Sequence, residues 1–124
     1  MIPFRLILPV LLLTPVLSAA NIPETHDTVC RRILAQGRLG KTKPCRVTKT
    51  GSAPRPNLPD MISLDYRIGS RHYLIEGEYR TASESWHYRH KGRAVQTYPA
   101  KRQDGRYTCH QGAGTNFCAL DKPF

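Results

Sequence analysis

The sequence is poor in acidic residues and, after its first twenty residues, in long apolar stretches. Nine Asp and Glu residues stand against 19 Lys and Arg, which gives a formal net charge of +10. No segment beyond residue 20 offers the roughly 20 apolar residues that a membrane-spanning helix needs. Internal repeats and low-complexity tracts are also missing from the sequence. The length therefore indicates one globular domain.

The first twenty residues are typical of a secretory signal peptide. Arg5 supplies a positive start, an apolar run follows over residues 7–17, and Ser18, Ala19 and Ala20 offer the small side chains that a signal peptidase recognises. Two prolines interrupt the run, which makes a retained membrane anchor the weaker alternative. Cleavage after Ala20 would leave residues 21–124 as one secreted domain, with 18 basic and 9 acidic residues and no stable membrane association.

The net charge of this mature domain, +9, predicts an anionic partner. Nucleic acid, anionic lipid and acidic polysaccharide all meet that description, and charge alone does not choose among them. We expect the domain to act as a monomer.

The cysteines and histidines lack the short spacings of a zinc site. The sequence contains no C-x₂-C pair and no H-x₃-H pair, so neither a metal nor another cofactor is expected. An even number of cysteines behind a signal peptide is instead typical of a disulfide framework. We therefore predict two disulfides among the four cysteines, for which three pairings exist: Cys30, Cys45, Cys109 and Cys118.

The N-terminal part of the mature chain is predicted to hold the one helix of the domain. In residues 24–36, Val29, Ile33 and Leu34 fall on one helical face, and Gly37 suits the end of a helix. Residues 40–59 are rich in Lys, Gly, Ser and Pro and are predicted to form a long surface loop, a type of segment that is often functional.

Beyond Asp60 the apolar residues recur at every second position, as in a half-buried strand. Gly69 and Ser70 predict a two-residue hairpin turn. The resulting register sets three pairs opposite one another: Ile62 and Gly77, Leu64 and Ile75, Tyr66 and Tyr73. The other face of the second strand then carries His72, Leu74, Glu76 and Glu78.

Two further strands are predicted at residues 93–98 and 106–110, the first ending at Pro99 and the second following a turn at Asp104 and Gly105. On the last strand two sets of side chains alternate, Tyr107 and Cys109 on one face and Arg106, Thr108 and His110 on the other. Residues 86–90 fit either another strand, turned at Lys91 and Gly92, or a loop. The expected fold class is α+β, with one short N-terminal helix packed on a twisted antiparallel sheet of four to five strands.

Three residues of the predicted sheet match the needs of RNA cleavage. RNA carries its own nucleophile, the 2′-hydroxyl, so an enzyme without a metal needs a base, an acid and a cation at the phosphate. Glu76, Arg93 and His110 supply these groups from three successive predicted strands, and Glu76 and His110 fall on the polar faces of theirs. Each is an ordinary surface residue when it is considered alone, so residue types by themselves do not carry the hypothesis.

Three segments, in this order, resemble blocks of the fungal secreted ribonucleases, namely the guanyl-specific enzymes and the alpha-sarcin-like ribotoxins. They are His-Tyr-Leu-Ile-Glu at 72–76, Arg-Ala-Val-Gln-Thr-Tyr-Pro-Ala-Lys at 93–101 and His-Gln-Gly-Ala-Gly-Thr-Asn-Phe-Cys at 110–118. From first to last they span 47 of the 104 residues of the predicted mature chain. The resemblance implies that Glu76 is the general base, that Arg93 holds the scissile phosphate and that His110 is the general acid.

The resemblance also implies substrate contacts from four residues: Asn57, His72, Tyr73 and Lys101. Asn57 stands where the family has a histidine that assists catalysis, and the family's guanine-binding loop has no counterpart here. In addition, the family has a loop at the position of residues 80–90, which favours the loop over the extra strand.

A cysteine pairing is a further implication of the resemblance. The family joins its C-terminal cysteine to one near the N-terminus, which implies Cys30–Cys118 and leaves Cys45–Cys109. This long-range pairing is preferred here, and its larger loops would be the more stabilising in the chain-entropy account. The local alternative is Cys30–Cys45 with Cys109–Cys118.

Three functions follow from these observations. The first is a secreted, metal-independent endoribonuclease that forms a 2′,3′-cyclic phosphate, with ribosomal RNA as one target and delivery into a host cell as one route. The second is a catalytically silent, ribonuclease-like effector that binds RNA or ribosomes. The third is a cationic membrane-active protein, against which the lack of a basic amphipathic helix counts.

Overall fold

The computed structural model describes residues 22–52 and 56–121, and these form a closed antiparallel barrel of eight strands. Each strand pairs with the next one along the chain, and the last strand pairs with the first. The strands are β1 (Glu24–Ile33), β2 (Leu39–Gly51), β3 (Met61–Ile68), β4 (Arg71–Arg80), β5 (Ser85–His90), β6 (Arg93–Arg102), β7 (Gly105–Gln111) and β8 (Phe117–Leu120). The predicted signal peptide, residues 1–20, lies outside the described residues.

The α+β prediction is wrong, because residues 24–33 form β1 and not a helix. The three apolar residues that suggested a helical face are too few to outweigh pairing on both sides, with β2 and with β8. Within the described ranges the one helical segment is a 3₁₀ turn, Ala35–Gly37, which links β1 to β2. No helix of the described chain has the length and apolarity to cross a membrane.

The predicted loop at 40–59 is also wrong over most of its length, because residues 39–51 form β2. Cys45 and Val47 are buried in the barrel while Pro44 and Arg46 are exposed, so the segment does alternate. Its many Lys and Thr residues belong to a strand with one solvent-exposed face, and the amino-acid composition of the segment does not reveal this alternation. Residues 53–55 of the predicted loop lie outside the described residues.

The β3–β4 hairpin prediction is confirmed, and of the two alternatives for residues 86–90 the strand is the correct one. The β3–β4 register pairs Ile62 with Gly77, Leu64 with Ile75 and Tyr66 with Tyr73. Strand β5 exists and turns into β6 at Lys91 and Gly92, whose φ values of 52° and 77° suit a two-residue hairpin turn. The loop that the resemblance implied at residues 80–90 is therefore wrong over 85–90. β6 continues past Pro99 to Arg102, because β5 pairs only with residues 93–95 and leaves the proline without a ladder partner on that side.

Two disulfides are present, as predicted, but the long-range pairing is wrong. The bridges are Cys30–Cys45 and Cys109–Cys118, the local alternative. Cys30 and Cys45 lie in the core cluster inside the barrel, whereas Cys109 and Cys118 belong to a separate cluster that includes Tyr107. Since the wall of the barrel separates the two pairs, no bridge between them is compatible with this fold.

The separate cluster lies on the outer face of β7 and β8. Tyr107, Cys109 and Cys118 are almost completely buried there, and Ile33 and Leu39 from the tip of the β1–β2 hairpin pack against them. Arg31 stabilises the position of this hairpin through three contacts. Its Nε donates to the Gly40 carbonyl at 2.7 Å, and its Nη1 lies 3.6 Å from Asp104 Oδ1. Its guanidinium carbon lies 5.6 Å from the centroid of the Tyr107 ring. The outer face of β7 is therefore covered.

Candidate functional site

His110 lies inside the barrel and has no exposed surface. Its Nε2 is 2.7 Å from the Tyr66 hydroxyl and its Nδ1 is 2.9 Å from Thr97 Oγ1, so both ring nitrogens have partners. Burial lowers the pKa of His110 to about 4 and raises the pKa of Tyr66. At neutral pH the imidazole is a neutral part of the core and has no contact with a substrate outside the barrel.

Glu76 lies on the outer surface of the same barrel. It is exposed on β4, opposite Ser63 of β3 and Arg89 of β5, while its neighbours Ile75 and Gly77 point into the core. Glu76 and His110 therefore lie on opposite sides of the wall. A single phosphodiester cannot contact both, so this arrangement does not form the base and acid pair that the sequence suggested.

The remaining predicted residues are spread over the molecule. Arg93 is exposed at the β5–β6 hairpin. Asn57 and Lys101 are exposed near the β2–β3 and β6–β7 connections, which in an up-and-down barrel lie at the end opposite that hairpin. His72 lies on the outer face, with its Nε2 2.5 Å from Asp65 Oδ1. The structure does not bring these four together.

Tyr73 is the predicted substrate-binding residue that lines a cavity. The cavity lies at the end of the barrel where β1–β2, β3–β4, β5–β6 and β7–β8 connect, because alternate connections of an antiparallel barrel share one end. We call this end, comprising residues 30–34, 40–43, 67–73, 89–94 and 110–117, the cationic end; the tip of the β1–β2 hairpin, with Arg38, lies instead on the outer face of β7, where Gly37 contacts Arg102. The cationic end contains nine basic residues and no Asp or Glu: Arg31, Arg32, Lys41, Lys43, Arg67, Arg71, Arg89, Lys91 and Arg93. Acidic residues from outside it reach two of these, because Asp104 pairs with Arg31 and Glu76 lies opposite Arg89.

The cavity in the cationic end, which we call the mouth cavity, has a volume of about 690 Å³. Ile68, Tyr73 and Phe117 contribute its apolar lining. Beneath these residues Leu64, Tyr66 and Ile75 fill the interior of the barrel, so the cavity ends there. Its volume is within the range of small-ligand pockets.

Four cations line the mouth cavity besides Arg31, which is already bonded to Gly40 and Asp104: Arg32, Lys41, Lys43 and Arg71. Arg71 Nη1 donates to the Tyr73 hydroxyl at 3.4 Å. Within residues 22–52 and 56–121, the side chains of Arg32, Lys41 and Lys43 form no hydrogen bond and no ion pair. Unpaired cations around an apolar lining suit an anionic ligand that also carries a flat or apolar part.

The β7–β8 connection forms an ordered part of the rim. Thr115 is buried, and both its backbone N–H and its hydroxyl donate to the Gly112 carbonyl, at 3.1 and 2.7 Å. The Gly112 N–H donates in turn to Asn116 Oδ1 at 3.2 Å. These bonds hold residues 114–116, which line the mouth cavity, in one conformation.

The opposite end of the barrel has a smaller cavity of about 310 Å³ with mixed charge. Glu24 and Asp121 line it together with His26 and Lys49, and Thr108 Oγ1 donates to Asp121 at 2.8 Å. Among the residues that the structure describes, no three His, Cys, Asp or Glu side chains are grouped as metal ligands would be. The two ends therefore differ in charge, and the cationic end is the candidate site.

The sequence reasoning missed Arg32, Lys41, Lys43 and Arg71. Arg32 falls in the predicted helix, residues 24–36, and Lys41 and Lys43 fall in the predicted loop, residues 40–59, so nothing connected them. A signal was nevertheless present: from residue 28 to residue 59 the sequence has eight basic residues and no acidic one. Four of the nine basic residues of the cationic end come from that run.

Comparisons with protein-family models, with curated proteins and with solved structures find no match. The resemblance to the fungal ribonucleases therefore rests on its three short segments alone, and the helix-on-sheet fold that we expected from the sequence is not the fold of this chain.

Proposed function

We propose that this protein binds RNA through its cationic end and does not cleave it. The observation that carries the proposal is the excess of positive charge at the cationic end, whose segments contain nine basic residues and no acidic residue. Binding of a polyanion to such a surface releases condensed counterions, which is the main source of sequence-independent affinity for nucleic acid. Secretion and a monomeric state remain predictions from the sequence.

RNA suits this end better than a membrane surface does. The large apolar side chains that are exposed on the described chain are scattered. Leu34 lies at the rim of the mouth cavity, Leu74 is on the outer face of β4, and Ile22, Leu58 and Trp86 lie toward the other end. A membrane-inserting surface would need a broader apolar patch beside the cations. The aromatic lining at Tyr73 and Phe117 is, by contrast, a common companion of basic residues in single-strand binding.

The test is a titration of labelled single-stranded RNA in the presence of EDTA, followed by a gel of the same samples. We expect binding whose affinity decreases about 100-fold between about 50 and 200 mM salt, which corresponds to about five phosphate contacts. The variant Lys91→Gln with Arg93→Gln should lower the salt slope by about 1.4, since it removes two cations outside the mouth cavity. Lys49→Gln with Arg80→Gln removes the same charge at the opposite end and should leave the slope unchanged.

Two results would overturn the proposal. RNA that is cut by the wild type and left intact by Glu76→Gln would restore the endoribonuclease hypothesis. Tight binding to anionic vesicles, together with no measurable binding to RNA, would show that the cations serve a membrane surface instead.

A further inference from the structure

We infer that the mouth cavity receives one unpaired nucleotide, with its phosphate among the four rim cations and its base against Tyr73, so that the protein selects single-stranded over duplex RNA. This inference rests on the proposed function and adds to it the form of RNA that is bound. It is carried by three features of the cavity: its size, its cations and its aromatic lining.

The size of the cavity excludes a duplex and admits a nucleotide. A volume of about 690 Å³ is that of a pocket for a small molecule, so a helix of paired strands can contact only the rim. A base that is paired and stacked within a duplex would have to leave the stack before it could enter, which costs free energy. For a nucleotide in a single strand this cost is smaller, because no base pair has to be broken.

The cations are placed to hold a phosphate at the rim. Arg32, Lys41 and Lys43 come from the β1–β2 hairpin and Arg71 from the start of β4, so they approach the cavity from two of its sides. Because the three hairpin side chains have no protein partner among the described residues, a phosphate would not have to break an existing ion pair. Lys41 and Lys43 are exposed, so their side chains can change conformation to contact a phosphate.

Tyr73 is a fixed aromatic surface. Its ring lies 4.9 Å from the Phe117 ring and 5.8 Å from the His90 ring, and its hydroxyl accepts from Arg71. His90 is itself held, because its Nδ1 donates to the Leu74 carbonyl at 2.8 Å. A ring that is packed in this way loses little entropy when a base stacks on it, and every base offers a flat face, so no base preference is required.

An anionic amphiphile is the competing ligand, and the depth of the cavity counts against it. A long acyl chain would need a channel into the barrel, but the interior below Phe117 is occupied by Leu64, Tyr66 and Ile75. A nucleotide needs no such channel, since its base is short and its phosphate remains at the rim.

The first experiment compares the affinity of the full chain for a labelled ten-nucleotide single-stranded RNA and for the same strand in a duplex. We expect the single strand to bind more tightly. Tyr73→Leu, which keeps an apolar side chain and removes the ring, should weaken single-strand binding by roughly 10-fold or more and leave duplex binding unchanged. Lys41→Gln with Lys43→Gln should lower the salt slope for the single strand by about 1.4, and Lys49→Gln with Arg80→Gln should not.

A second measurement does not depend on the folding of the Tyr73 variant. Uridine monophosphate titrated into the wild type should shift the amide resonances of Gly114, Thr115 and Asn116, which line the mouth cavity, and not that of Asp121 at the opposite end. If folded Tyr73→Leu binds both RNAs as the wild type does, or if decanoate shifts these amides and the nucleotide does not, the inference is overturned. RNA binding that survives in those cases would leave the proposed function intact.

Discussion

Gly77 marks the place where the interior of the barrel has no room for a side chain. An added Cβ would lie 2.7 Å from Cε1 of Tyr88 and 2.8 Å from Cγ2 of Ile62, both closer than carbon atoms approach without a shift. The Tyr88 ring packs over the glycine because the two residues are directly opposite each other in the β4–β5 register. Close packing of this kind makes the position sensitive to a single methyl group.

We predict that Gly77→Ala lowers the free energy of unfolding by about 1 to 3 kcal/mol, because an extra methyl in a filled core displaces its neighbours. Urea denaturation measures the change. Gly51→Ala is the matched control, since a Cβ there meets no atom within 4 Å, and it should change stability by no more than about 0.5 kcal/mol. Equal effects of the two substitutions would show that the β4–β5 packing is not as described.

His110 and Glu76 show how the role of a residue depends on the side of the wall on which it lies. Both were placed on the polar face of a strand from alternation alone. For β4 the polar face is the outside, but for β7 it is the inside, where Tyr66 and Thr97 satisfy the histidine. Alternation separates two faces without saying which one becomes the core.

At the scale of elements, the β1–β2 hairpin determines which face of β7 is apolar, because it covers the outer face of that strand. Its tip covers the outer face of β7 and β8 with Ile33 and Leu39, and Arg102 at the end of β6 donates to the Gly37 carbonyl at 3.3 Å. The covered face can then hold Tyr107 and the Cys109–Cys118 bridge, which an exposed face would not favour. Without this hairpin, β7 would present its apolar side to water.

The cysteine pairing gives a test of this arrangement. Tryptic digestion of the unreduced protein should release residues 107–124 as a peptide that is joined to no other and is two hydrogen atoms lighter than its reduced form. This is expected because no Lys or Arg lies between Cys109 and Cys118, and the two are bridged to each other. Mass spectrometry makes the measurement. A crosslink from this peptide to one that contains Cys30 or Cys45 would contradict the fold.

At the scale of the whole molecule, the charge distribution and the stability depend on different parts of the barrel. Basic residues without acidic neighbours in sequence are concentrated at the cationic end, whereas residues of both signs lie on the wall and toward the other end. An anionic partner would therefore approach the cationic end first. Stability depends instead on the interior, where one neutral histidine links β3, β6 and β7.

We predict that stability falls as the pH is lowered from about 6.5 to about 4. The pKa of His110 is about 4 in the folded protein and near 6.5 when unfolded, so in this window the unfolded chain takes up a proton that the folded protein does not. The loss approaches about 3 kcal/mol at the lower limit, and above pH 6.5 this contribution no longer changes. The titratable groups that face the imidazole are the hydroxyls of Tyr66 and Tyr88, which stay neutral in this range.

Urea denaturation at several pH values measures this dependence. His110→Gln removes the titrating group, so its free energy of unfolding should vary less with pH between 4 and 6.5 than that of the wild type. An unchanged slope in the variant would assign the acid sensitivity to other groups.

Local patterns in the sequence were sufficient to predict the β3–β4 hairpin and its register. The alternation after Asp60 and the turn at Gly69 and Ser70 led to the β3–β4 register, because the side-chain period of a strand and the conformational demands of a tight turn are local properties. The same holds for the two faces of β7 and for the number of disulfides. The N-terminal third was mistaken for a helix and a loop because β1 and β2 depend on partners that are distant in sequence.

By itself the sequence determined the charge, the hairpin turns and which side chains share a face, since each of these depends on neighbours along the chain. Only the tertiary structure decided that β8 returns to β1, that the β1–β2 hairpin covers β7 from outside, and that His110 is therefore buried while Glu76 is exposed. The same closure gathers Arg32, Lys41, Lys43 and Arg71 around one cavity. The physical reason is that burial depends on which surfaces meet, and that is a property of the whole chain.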